Sequence, residues 1–167
     1  MATITSKSMA AAVLSLLAGF SCLSASTPIL GLGTASAAQS KASSAAVALA
    51  LLNNYRASQG LGRVQLDPAL NAMAQRQSNA MLAAKTMSHD IAGGFSSRIS
   101  QSGISAPYAA ENIGYGYDSA GSIFEGWRQS SGHNANMLLA QATRVGVAVA
   151  RDSGGVYWTM VLASNPR

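Results

Sequence analysis

Apolar positions recur along this chain with a helical rhythm in some stretches and a twofold rhythm in others. Between Ala45 and Gln59, Val47, Leu51, Leu52 and Tyr55 fall at helical spacing, the buried stripe of an amphipathic helix. Ser43 or Ser44 serves as N-cap, and Gly60 supplies the residue after the last turn. A second helix opens at Asp67-Pro68, where aspartate caps and proline occupies a position whose N–H is unpaired anyway. Its stripe is Leu70, Met73, Ala74 and Met81, and it ends near Lys85. Ile91 to Pro107 is rich in Gly and Ser and reads as loop, with one helical turn around Ser96 to Ser102.

Glu111 to Tyr117 alternates Ile113, Tyr115 and Tyr117 with smaller residues, a strand pattern. Ser119 to Gln129 reads as a third helix carrying Ile123, Phe124 and Trp127. Val145, Val147 and Val149 alternate, Asp152-Ser153-Gly154-Gly155 turns, and Val156, Trp158, Met160 and Leu162 alternate again. That is a β-hairpin. Helices first and an antiparallel sheet later predict a layered α+β domain.

Composition narrows the function classes. Only 10% of residues are charged, with 11 Lys+Arg against 6 Asp+Glu. The high pI therefore reflects scarce acids, and the arginines are scattered singly from Arg56 to Arg151. Nucleic acid is not the expected partner, because such proteins cluster their bases.

The first 37 residues read as a secretory signal peptide. Lys7 gives the positive n-region, Met9 to Phe20 the apolar h-region, and Ala35-Ser36-Ala37 the cleavage pattern, with a competing site after Ala25. The apolar run is shorter than the roughly 20 residues a bilayer takes, so no transmembrane anchor is expected after cleavage. Lipidation at Cys22 does not fit its Gly19-Phe20-Ser21 flank. Residues 38–44 read as a short polar linker and 45–167 as the domain. Cys22 is the one cysteine, so the secreted domain would be held by its core alone.

Nucleophile-elbow, zincin, Cys-x-x-Cys and phosphate-loop motifs are absent. The chain has two histidines, His89 and His133, and two glutamates, Glu111 and Glu125, all between positions 89 and 133. Each also has a plain structural reading. His89 and His133 can close helices, Glu111 can pair with an arginine, and Ser122-x-x-Glu125 is a capping box.

The flanking words carry more. Asn53-x-x-Arg56, Gly60-Leu61, Leu66-Asp67-x-x-Leu70, Met87-Ser88-His89-Asp90, Ala110-Glu111-Asn112-Ile113-Gly114 and Trp127-x-x-Ser130-Ser131-Gly132-His133-Asn134-Ala135-Asn136-Met137-Leu138 stand in order. Together they resemble the CAP superfamily, or SCP domain, in its short, disulfide-free bacterial type, over about residues 45 to 164. The resemblance implies a three-layer α-β-α sandwich with a central antiparallel sheet, and a cavity where two histidines and one or two glutamates converge. It carries over to His89, Glu111 and His133. The family's second glutamate follows the helix tryptophan by three positions, which here is Ser130. Glu125 lies about 140° around the helix from it, so the expected site is His89, Glu111, His133 and Ser130, with Glu125 capping or on the surface.

Two function classes remain open. In one, the secreted module binds zinc or another divalent cation through His89 and His133, with Glu111 orienting an imidazole, and takes a lipid, sterol or cell-envelope partner. Apolar residues within Phe95 to Tyr108 are candidates for a lipid groove. In the other, the site is a hydrolase, with Glu111 as base to a metal-bound water or Ser130 as nucleophile activated by His133.

Overall fold

The computed structural model describes residues 32–166, with side chains from residue 44 onward. Most of the expected signal segment, residues 1–31, lies outside the described residues. Helix α1 (Leu32–Ser58) is followed by strand β1 (Gln65–Leu66), helix α2 (Pro68–Ala84), helix α3 (Phe95–Gln101) and strand β2 (Ala109–Tyr115). Helices α4 (Ala120–Gln129) and α5 (Ser131–Met137) come next, and strands β3 (Arg144–Asp152) and β4 (Gly155–Ala163) close the domain. The sheet order is β1-β3-β4-β2, antiparallel throughout except for the parallel β1–β3 pair.

The hairpin forms as its alternation predicts, with Asp152 paired to Gly155 across the turn. Both of its faces are buried. Val145, Val147, Val149, Trp158, Met160 and Leu162 pack with α1 and α4. Ala148, Val161 and Ala163 face Leu70, Met73 and Ala74 of α2. The sheet thus lies between two helical layers, the α-β-α sandwich expected. Small residues on the α2 side let that helix approach closely: a Cβ on Gly146 would stand 2.2 Å from the backbone of Leu70. Each large apolar side chain buried this way stabilises the domain by about 1.5–3 kcal/mol relative to exposure.

Local chemistry explains the helix ends. Asp67 accepts from the backbone N–H groups of Ala69 and Leu70, with Pro68 in the first turn. Gly60 adopts φ 72° after α1, and Leu61 N–H donates back to Arg56 O, the left-handed stop expected there.

Four details depart from the sequence reading. Residues 38–44, expected as linker, are helical within α1; the run holds no Gly or Pro to break it. Val47 is 48% exposed, and the face of α1 that packs is Ala45, Ala48 and Leu52, with Leu51 and Tyr55 at its border. Small alanines seat α1 against α4 and β3, which turns Val47 outward. β2 starts two residues early because Ala109 and Ala110 pair with Ala163 and Leu162, and it ends two residues early because Gly116, at φ 82°, leaves the extended region. Finally, β1 has two residues, both exposed, too few to leave a periodic signal.

Candidate functional site

β2 is an edge strand, and its free edge is closed by side chains rather than by another strand. Trp127 Nε1 donates to Ile113 O at 2.9 Å, and Asn136 Nδ2 donates to Glu111 O at 3.2 Å. Covering an edge this way satisfies outward carbonyls and blocks further pairing. Asn136 also donates to Asn112 Oδ1 at 2.9 Å, while Asn112 Nδ2 donates to His133 O at 3.0 Å. Tyr55 on α1 donates to Asn134 Oδ1 at 2.9 Å. Gly114 completes the fit: a Cβ there would lie 2.3 Å from Ile123 of α4. The sequence Glu111-Asn112-Ile113-Gly114 is thus the seam to which α4 and α5 are sewn, and it sets the position of His133.

The side chain of Glu111 is 2% exposed and fully engaged. Arg98 Nη1 donates to Oε2 and Nη2 to Oε1, both at 2.8 Å, a bidentate pair of the strong kind. His89 Nδ1 lies 2.8 Å from Oε1. An ionised carboxylate only accepts, so Nδ1 carries the proton shared with Glu111. Arg98 also donates to His89 O at 2.8 Å and to Gly93 O at 2.7 Å, and its guanidinium lies 5.5 Å from the centre of the Phe95 ring. From the other side, Gln77 of α2 donates to Ser88 O at 2.6 Å. The loop carrying His89 is therefore held by two buried side chains, Arg98 from α3 and Gln77 from α2.

His133 lies on α5 and lines a groove of about 270 Å³ together with Met87, Ile113, Tyr115, Tyr117 and Trp127. Its pKa is lowered from the ordinary histidine value, first by burial and then by the charge of His89. His133 is thus neutral at neutral pH, a state suited to ligation. A second groove, of about 350 Å³, is lined by Phe95, Ile99, Ala106, Pro107 and neighbours, within the segment expected to offer apolar lining.

The sequence-expected residues separate into three groups. His89 and Glu111 touch, and His133 stands within electrostatic reach of His89. Ser130 ends α4 and starts α5 in an extended conformation, which breaks what reads as one helix and gives His133 a helix of its own. No hydrogen bond joins its hydroxyl to His133 among the described residues. Glu125 faces solvent, where Arg128 at 2.7 Å and Gln129 at 2.8 Å hold its carboxyl down to about 2. Its expected box with Ser122 is not formed; the box links Ser119 and Ser122. Among the described residues, no three His, Cys, Asp or Glu side chains gather as a metal-holding group.

Sequence reasoning missed Arg98 and Gln77, because neither lies in a recognisable motif. The one available signal was arithmetic: a buried carboxylate needs a cation, and Arg98 is the arginine in the segment between His89 and Glu111. The role of Asn53-x-x-Arg56 is also clear only in the fold. Asn53 exchanges two hydrogen bonds with Val64, and the buried Arg56 donates to the carbonyls of Gly62, Met137, Leu139 and Ala142.

A model of the cysteine-rich secretory protein family, CAP, matches residues 49–162. The chain belongs to the CAP family. The uncharacterized protein YkwD of Bacillus subtilis strain 168 is 32% identical over 111 residues, 65% of this chain and 42% of that protein. An extracellular SCP-domain protein of Bacillus anthracis shares the fold with a TM-score of 0.73 at 24% identity, over 80% of this chain and 44% of that one. An outer surface protein of Borrelia burgdorferi shares it with a TM-score of 0.67 at 13% identity, over 71% of this chain and 90% of that one. The chain thus spans less than half the length of YkwD and of the Bacillus anthracis protein. With a single cysteine it can form no disulfide within the chain, so this CAP domain is of the disulfide-free type. Among the described residues no helix is long and apolar enough to cross a membrane.

Proposed function

We propose that this CAP domain is a secreted binding module that holds a divalent metal ion between His89 and His133 and takes an apolar partner in the adjoining groove. The observation that carries the reading is the 2.8 Å contact of Glu111 with His89 Nδ1. Carboxylate–imidazole contacts of this kind fix the tautomer of a metal-binding histidine and aim its other nitrogen outward. His133, kept neutral by burial, is the second donor. Bound there, the ion would supply Lewis acidity and order the loop between α2 and α3 against α5.

The donor set favours binding over turnover. Both oxygens of Glu111 are occupied by Arg98 and His89, so it orients rather than abstracts protons, and the hydroxyl of Ser130 has no imidazole to activate it. The groove beside His133 is apolar and aromatic, and its volume of about 270 Å³ matches part of an acyl chain or sterol, near the lower end for small-molecule sites. Its partner on this reading is a lipid of the cell envelope. The leader pattern and the extracellular and outer-surface proteins that share the fold support secretion.

A zinc titration by calorimetry tests the reading. His89→Ala and His133→Ala are each expected to weaken zinc binding by tenfold or more, while Glu125→Ala leaves it unchanged. Undiminished binding in both histidine variants would refute the site.

A further inference from the structure

The methionines of the described residues divide sharply. Met73, Met81, Met137 and Met160 are each 0% exposed. Met87, in the loop between α2 and α3, is 54% exposed, more than any other large apolar side chain among the described residues. It also lines the groove of about 270 Å³ beside His133, together with Ile113, Tyr115, Tyr117 and Trp127. We propose that Met87 is an oxidation site: peroxide converts its thioether to the sulfoxide ahead of the buried methionines, and the product turns the groove against apolar ligands. The second half rests on the reading above only in taking the groove to hold an apolar molecule. The first half is independent of that reading and of any metal.

Access decides which sulfur reacts. The sulfur lone pair attacks one oxygen of the peroxide, and the S–O bond forms as the O–O bond breaks. The proton of the transferred hydroxyl passes to the departing hydroxide, and water leaves. Sulfur is oxidised by two electrons and the peroxide is reduced by two. Susceptibility therefore follows exposure, and the four buried methionines present no open lone pair. A thiolate would compete for the oxidant, but the chain's one cysteine is Cys22, in the expected leader, and residues 32–166 hold none.

The consequence follows from where the side chain sits. A thioether is apolar, polarizable and flexible, so it moulds to an apolar ligand. The sulfoxide is polar, and covering its oxygen with hydrocarbon removes water without supplying a donor in exchange. Because the core methionines are spared, the change alters the groove and leaves the packing of the domain intact.

The sequence makes the test clean, since each of the five methionines lies on its own tryptic peptide, Met87 on the one from Thr86 to Arg98. The full chain is treated with hydrogen peroxide for increasing times, quenched with catalase and mapped by mass spectrometry. Parent and variant both carry Cys22→Ser, which prevents dimers through the thiol. The Met87 peptide is expected to gain one oxygen about tenfold faster than the four others, as exposure dictates. Comparable rates for Met87 and the buried methionines overturn the site. A dansyl-labelled undecanoic acid, whose fluorescence rises in apolar surroundings, then reads the groove. Oxidation of the parent is expected to weaken its binding about fivefold or more, and methionine sulfoxide reductase to restore it. In Met87→Leu, whatever its own affinity, peroxide is expected to change nothing, and an unchanged melting curve checks the fold. Equal probe affinity before and after oxidation of the parent, or an equal response in Met87→Leu, overturns the effect on the groove. If the untreated parent binds no probe, the groove reading fails and takes that effect with it, while the peptide map still decides the oxidation site.

Discussion

Two buried arginines divide the labour of this domain. Arg56, fully buried on α1, meets no carboxylate; it donates to four backbone carbonyls that hold the turn after α1 and the segment after α5. Burial lowers its pKa from the ordinary arginine value, yet a guanidinium in that range stays charged at any pH the protein meets. Arg98 on α3 instead forks onto Glu111 and reaches the carbonyls of Gly93 and His89. The four hydrogen bonds of the first arginine all serve shape. The second ties shape to chemistry, because the carboxylate it holds is the one that orients His89.

Breaking the carboxylate has the largest expected effect. Glu111→Gln leaves Arg98 buried without a counter-charge, and loss of one partner of such a pair costs about 3–5 kcal/mol. Chemical denaturation measures it. The double variant Arg98→Met, Glu111→Leu is expected to recover much of that loss while metal binding stays impaired, since apolar replacement of a whole buried pair is close to neutral. A double variant no more stable than Glu111→Gln would show that the carbonyl bonds of Arg98, and not the ion pair, dominate.

Arg56→Met comes next, at about 2–4 kcal/mol, because carbonyls lose their donors in a place where each orphan costs about 1–3 kcal/mol and water reaches some of them. Zinc affinity per folded molecule is expected to hold. If it falls together with stability, the two arginines are coupled through α5 and the division drawn above is too sharp.

The smallest effect concerns protons. His133 has a folded pKa below its unfolded value near 6.5, so the unfolded chain binds more protons in that window. Its contribution to stability is full above pH 6.5 and is lost as pH falls toward the folded pKa. Proton NMR is expected to place the midpoint of His133 below that of a model peptide and to raise it in His89→Gln, which removes the charge of His89. A midpoint indifferent to that substitution would separate the two rings.

Much of the fold was legible in order along the chain. The hairpin, the Asp67-Pro68 start of α2 and the stop at Gly60 follow from periodicity and capping, which are properties of neighbours in sequence. Where the reading slipped, a distant contact had overruled a local preference. Val47 belongs to a good apolar stripe, but α4 and β3 accept the alanine face of α1 instead. Ser122-x-x-Glu125 is a sound capping pattern, but the helix begins one turn earlier at Ser119 and Glu125 pairs with Arg128. The candidate site was half visible. His89, Glu111 and His133 stood out by rarity and flanking words, whereas Arg98 and Gln77 did not, since nothing in their own neighbourhoods sets them apart.

The amino-acid order by itself determined the main helices and the hairpin, a layered α+β class and, through its short words, a family resemblance that implies the α-β-α sandwich, because rhythm, caps and words are encoded locally. Only the tertiary structure decided that Glu111 serves Arg98 and His89 at once, that Ser130 is a hinge between helices, and that Met87 shares a groove with His133. Those choices depend on which surfaces meet across the edge of β2, and the meeting of distant surfaces is set by packing of the whole core.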